Sequence, residues 1–118
     1  MHCRGIRGAT TVKSNSREDI LQASTELLEK IVAANGVEID DIASAFFTTT
    51  VDINAAFPAA AARRMGWTNV PLLCGHEMNV PDSLSRCLRV MVLWNTKKKA
   101  DEIKHIYIRG TETLRETP

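Results

Sequence analysis

Five short runs rich in β-branched and aromatic residues, two stretches with helical signals and a length of 118 residues predict one α/β (α+β) domain spanning residues 1–118. Its mixed five-stranded sheet carries two main helices on one face, in the order β-α-β-α-β-β-β. Apolar residues make up 44% of the chain and charged residues 25%, enough for a single packed core and inconsistent with a disordered or collagen-like chain.

The first strand is predicted over Cys3 to Val12, with β-branched Thr10, Thr11 and Val12 near its end. Ser14-Asn15-Ser16 supplies helix-capping oxygens, and Asn15 with Glu18 has the spacing of a capping box. Ile20, Leu27, Leu28, Ile31 and Val32 then recur with helical period until Asn35-Gly36 ends the pattern. Ala43 to Thr50 has the content of a second strand. Pro58 suits the first turn of an Ala-rich helix, Ala59 to Met65, and Gly66 stops it. A third strand is placed at Val70 to Cys74, a fourth at Cys87 to Trp94 and a fifth at Ile103 to Ile108. Two helices cover only one sheet face. Met91, Leu93 and Trp94 are too apolar for bare exposure of the other, so the sequence predicts an oligomer.

Several function classes drop out. A net charge of +1 offers no basic stripe for nucleic acid, and Lys97-Lys98-Lys99 is followed at once by Asp101 and Glu102, as in a solvated loop. No apolar run approaches the ~20 residues of a membrane span. The N-terminus lacks the apolar segment of a secretory signal. Cys3, Cys74 and Cys87 are few, odd in number and far apart, which suits reduced thiols in the cytoplasm. His2, His76 and His105 have no ligand spacing, so no metal is expected.

The residues with chemical interest are mostly arginines. Alternation along Cys87-Leu88-Arg89-Val90-Met91-Val92-Leu93 puts Arg89 on one face with Cys87, Met91 and Leu93. A guanidinium in apolar company stays charged and requires an anion. That anion is either an acid of the chain itself or a bound ligand. Arg7 lies in Arg4-Gly5-Ile6-Arg7-Gly8, a string suited to close approach of a ligand or to a strand-edge bulge. Arg63 and Arg64 diverge by about 100° on a helix, so only one can face a given site. Glu77 follows the third strand, either as a loop binding group or as a plain exposed acid. Tyr107, the only tyrosine, shares a predicted strand face with His105 and Arg109, at a site or at an interface. No nucleophile elbow, zinc motif, phosphate loop or dinucleotide fingerprint is present. Arginines, one acid and one phenol suit anion binding, or catalysis by position and field.

Taken together, M-H-C-R-G-I-R-G-A-T-T-V, A-A-F-P-A-A-A-A-R-R-M-G-W, V-P-L-L-C-G-H-E-M, R-C-L-R-V-M-V-L-W-N-T and H-I-Y-I resemble the monofunctional α/β chorismate mutases, in order from Arg4 to Arg115. The resemblance implies a homotrimer folded as a pseudo-α/β barrel, with sites in clefts between subunits. It implies the cofactor-free Claisen rearrangement of chorismate to prephenate in aromatic amino-acid biosynthesis. Arg7 and Tyr107 would then hold one substrate carboxylate. Arg89 would bind carboxylate and donate to the ether oxygen, and Glu77 would accept from the ring hydroxyl. Backbone groups around Leu73 and Cys74 would assist. Phe57 would pack on the substrate, and Arg63 and Arg115 would attract or enclose its outer carboxylate. Glu77, Arg89 and Tyr107 would face Phe57 and Arg63 of the adjacent chain. Ala60 stands where some members carry lysine, and Leu73 replaces a hydroxyl residue found in some members. Little tail follows Arg115 before Pro118, which counts against closure of the cleft by the C-terminus. A rival from another class is a RidA-type trimeric metabolite-binding or imine-hydrolysing protein. A non-catalytic oligomeric scaffold is a third reading, one that leaves Arg89 unexplained.

Overall fold

The computed structural model describes residues 1–115. Strand β1 (His2–Thr11) leads into helix α1 (Arg17–Asn35), then β2 (Ile42–Thr49), helix α2 (Ala59–Arg64), β3 (Leu72–His76), β4 (Cys87–Thr96) and β5 (Ile106–Tyr107). Short 3-10 turns sit at Ile39–Asp41, Ala100–Glu102 and Glu112–Arg115. The expected order of strands and main helices holds. In space the strands run β3-β2-β4-β1-β5. Central β4 is antiparallel to β1 and β2, whereas β1–β5 and β2–β3 are parallel, so the sheet is mixed.

One face of the sheet is closed by helices. Ile6, Leu88, Val90, Val92, Ala45 and Phe47 are buried there with Ile20, Leu27, Leu28 and Ile31 of α1. Each large apolar side chain contributes roughly 1.5–3 kcal/mol on full burial. At Gly8 helix and sheet approach closely. A Cβ there would lie 2.8 Å from Ile31 Cδ1, 3.1 Å from Leu27 Cδ1 and 3.3 Å from Val90 Cγ1. Helix α1 starts at Ser16, whose Oγ accepts from the Asp19 N–H, a cap worth about 1 kcal/mol. This corrects the Asn15–Glu18 capping box. The Asn15 side chain instead bonds the backbone N–H groups of Asn54 and Ala55, steadying the loop ahead of α2. Gly36 ends α1 in the left-handed conformation, φ 68°, as its type allows.

Four further expectations are revised. The third strand runs two residues later than predicted, because its parallel pairing continues through Thr48–Gly75 and Thr49–His76. The fifth shrinks to two residues, since Asn35 grips Lys104, and Arg109 and Gly110 take positive φ (52° and 88°). Arg109 therefore leaves the Tyr107 strand face and forms an ion pair with Glu26 of α1 at 2.7 Å. Trp94 is only 4% exposed and belongs to the helix-covered core, opposite Met91 and Leu93.

Asn35 is itself a structural clamp. It is 2% exposed. Its Nδ2 donates to Ile31 O at 3.0 Å and to Lys104 O at 2.9 Å, and its Oδ1 accepts from Lys104 N at 2.8 Å. Truncation strands the Lys104 backbone groups, so Asn35→Ala is expected to cost about 2–4 kcal/mol. Urea unfolding at fixed protein concentration checks this. A midpoint close to that of the parent would count against the clamp.

Candidate active site on the open sheet face

Residues directly opposite each other on paired strands point to the same side of a sheet. The register therefore draws one row across all five strands: Gly75 beside Thr48, Thr48 beside Arg89, Arg89 beside Ala9, Ala9 beside Tyr107. The row lies on the face without helices. A side chain at Gly75 would meet open space, whereas Ala9 and Tyr107 at the other end of the row are buried. The next row holds Leu73, Phe46, Met91 and Arg7. Leu73, Phe46 and Met91 are among the exposed large apolar side chains, with Leu73 at 62%.

Arg89 has an acid partner within the chain. Its Nε donates to Glu77 Oε2 at 2.9 Å and its Nη2 to Glu77 Oε1 at 2.8 Å, the bidentate fork that suits guanidinium and carboxylate. Glu77 is held in turn by its own N–H, which donates to Thr49 O at 2.8 Å and extends the β2–β3 ladder by one residue. It sits at the strand's edge rather than in a free turn. The Thr48 hydroxyl also donates to Glu77 Oε2. Sequence reasoning misses this contact, because strand propensity alone accounts for the Thr48-Thr49-Thr50 run.

The electrostatics follow from these bonds. The Arg89 hydrogen bond holds the Glu77 carboxyl below its ordinary value of 4.5, against desolvation and with help from Thr48. The same bond keeps Arg89 more firmly protonated, opposed by burial. Side-chain exposure is 39% for Arg89 and 20% for Glu77, so solvent screens the pair in part. A depressed carboxyl stabilises the fold above the unfolded value of 4.5 and loses that contribution as pH falls through the lower folded value. A carboxylate NMR titration is expected to find Glu77 more than half ionised at pH 4.5. A midpoint above that value would contradict the pairing.

Arg7 and Tyr107 lie diagonally across the two rows, with Arg7 Cζ 5.8 Å from the Tyr107 ring centroid, within cation–π range. Arg4 is excluded from this group, since its Nε donates to Lys98 O at 3.2 Å. Arg7, Glu77, Arg89 and Tyr107 thus share the open face. Leu73 lies on the same face, whereas the Cys74 side chain packs against the core, leaving its backbone at the β3 edge. Phe57, 70% exposed, and Arg63, also exposed, belong to the α2 region. Among the described residues neither makes a hydrogen bond, ion pair or ring contact with the Arg89 pair. Arg63 and Arg64 are both exposed, so divergence on the helix does not bury either one. The Arg115 side chain, and everything after it, lies outside the described residues.

Burial pushes the Cys87 thiol up to about 11, which keeps it uncharged and weakly nucleophilic at neutral pH. Among the described residues no group of three or more His, Cys, Asp or Glu is gathered to hold a metal, and no helix is long and apolar enough to cross a membrane.

A mixed α/β sheet places a fixed arginine–carboxylate pair, a second arginine and a phenol in two adjacent rows, groups of the kind that hold an anion. Residues 3–117 match the family model described as chorismate mutase type I. The chain is 48% identical over 113 residues to chorismate mutase AroH of Thermus thermophilus, covering 95% of this chain and 93% of that one. It is 42% identical over 116 residues to chorismate mutase AroH of Bacillus subtilis (strain 168), covering 98% and 91%. Among solved structures, a chorismate mutase from Clostridium thermocellum superposes with a TM-score of 0.91 at 49% identity, covering 93% of this chain and 98% of that one. The chain belongs to the type I chorismate mutases, isomerases that convert chorismate to prephenate. This decides against the RidA-type and scaffold alternatives.

Proposed function

We propose that the chain carries out this rearrangement by position and electric field, as a cytoplasmic homotrimer whose sites form between subunits, without metal, cofactor or covalent intermediate. The observation that carries the reading is the Thr48–Arg89–Ala9–Tyr107 row with Glu77 forked onto Arg89. The fork orients the guanidinium in advance and uses only part of its donor set, leaving other N–H groups for a ligand. As the ether C–O bond of chorismate breaks and the new C–C bond forms, charge grows on the ether oxygen. Arg89 stabilises that charge, and Glu77 accepts from the ring hydroxyl. Arg7 and Tyr107 hold a carboxylate. Leu73 and Cys74 contribute backbone groups, Phe57 of the adjacent chain packs on the substrate, and that chain's Arg63, with Arg115, attracts or encloses the outer carboxylate. The exposed Phe46, Leu73 and Met91 supply an apolar face for that assembly.

The magnitudes close. A ~10⁶-fold acceleration requires about 8 kcal/mol. One charged donor at the developing oxyanion supplies roughly 3–4 kcal/mol, and orientation of the enolpyruvyl arm supplies the other ~4–5 kcal/mol. Loss of chorismate ultraviolet absorbance with appearance of prephenate tests the function. A rate no faster than the spontaneous one would overturn it. Arg7→Ala is expected to lower kcat/KM by more than about 1 kcal/mol, with part of the loss in KM. Unchanged kinetics would remove Arg7 from the site.

A further inference from the structure

Strand β5 pairs with β1 over two residues only, Gly8–Ile106 and Ala9–Tyr107. Just before that pairing, Asn35 draws Lys104 toward the end of α1. The next N–H on that edge of β1 belongs to Arg7, and it donates to a side chain: its acceptor is His105 Nδ1, at 2.9 Å. We propose that His105 is a positioning residue for Arg7. Its imidazole, unprotonated at Nδ1, takes the place of a strand carbonyl and fixes the Arg7 backbone relative to Tyr107. The two anchors act in series, Asn35 holding Lys104 and His105 holding Arg7. This role rests on the reading of Arg7 as a carboxylate-binding residue. Its effect should fall on substrate capture, because His105 acts through Arg7 and not on the reacting atoms.

The test compares two replacements. His105→Phe keeps a ring and removes the acceptor, whereas His105→Asn removes the ring and places Oδ1 at the same branch position as Nδ1. The Phe variant is expected to raise KM about tenfold with kcat within about threefold, and the Asn variant to restore most of KM. Equal KM in the two variants, or a loss confined to thermal stability, would overturn the proposal. Arg7→Ala is run alongside. If it leaves KM unchanged, the Arg7 reading fails; if it raises KM while His105→Phe does not, the positioning role alone fails. Nitrogen NMR of the unsubstituted protein gives a result independent of variant folding. An unprotonated Nδ1 and a slowly exchanging Arg7 amide are expected, and a proton on Nδ1 would overturn the proposal.

Discussion

Citrulline at position 89 is expected to lower kcat by roughly two orders of magnitude or more, about 3 kcal/mol in the barrier, on the scale of a lost oxyanion donor. KM should change far less. The replacement removes charge and keeps much of the planar shape, including N–H groups able to bond Glu77 in place of the 2.8 and 2.9 Å contacts. Loss of folding is therefore not the expected cause of lost activity. Because the positive charge of Arg89 also lowers Glu77, apart from the hydrogen bond, the Glu77 titration midpoint should rise in the same variant. Lysine should recover part of kcat, since it keeps charge without the fork. A near-normal kcat in a folded, assembled citrulline variant would reduce Arg89 to a structural or binding residue and would overturn the electrostatic mechanism.

What the sequence makes legible, and what it does not, divides along physical lines. Alternation in Cys87–Thr96 separates Arg89 from the core, because a central strand between two partners obeys its period closely. The α1 period is equally plain. The edges are not. Gly75 and His76 have little strand propensity, yet pairing with Thr48 and Thr49 makes them strand and carries Glu77 into reach of Arg89. Nothing local signals that Glu77 and Arg89, twelve residues apart, are the two halves of a bidentate pair. Ile103 and Lys104 have the look of strand, but the Asn35 clamp and the 3-10 turn at Ala100–Glu102 withdraw them from the ladder. From sequence, Asn35 is only a helix stop and His105 only a strand neighbour, because a side chain that substitutes for backbone leaves no periodic trace.

Mixing two impaired chains is expected to restore activity if the sites are shared. One chain carries Arg89→citrulline and the other Arg63→Glu. In the proposed homotrimer each alone would have every site damaged, the first at the developing charge and the second at the outer carboxylate. Arg63 is exposed on α2 and, among the described residues, makes no bond to the Arg89 pair within its own chain, and the proposed shared site has it act from across an interface. In randomly mixed trimers roughly a quarter of the interfaces combine an intact Arg89 with an intact Arg63. Co-refolding the two variants should therefore yield about a quarter of the parental activity per site, well above the sum of the separate proteins. Sedimentation of the mixture identifies the assembly responsible. A mixture no more active than its components, or a stable monomer with full activity, would rule out the shared-site arrangement while leaving the Arg89–Glu77 geometry intact.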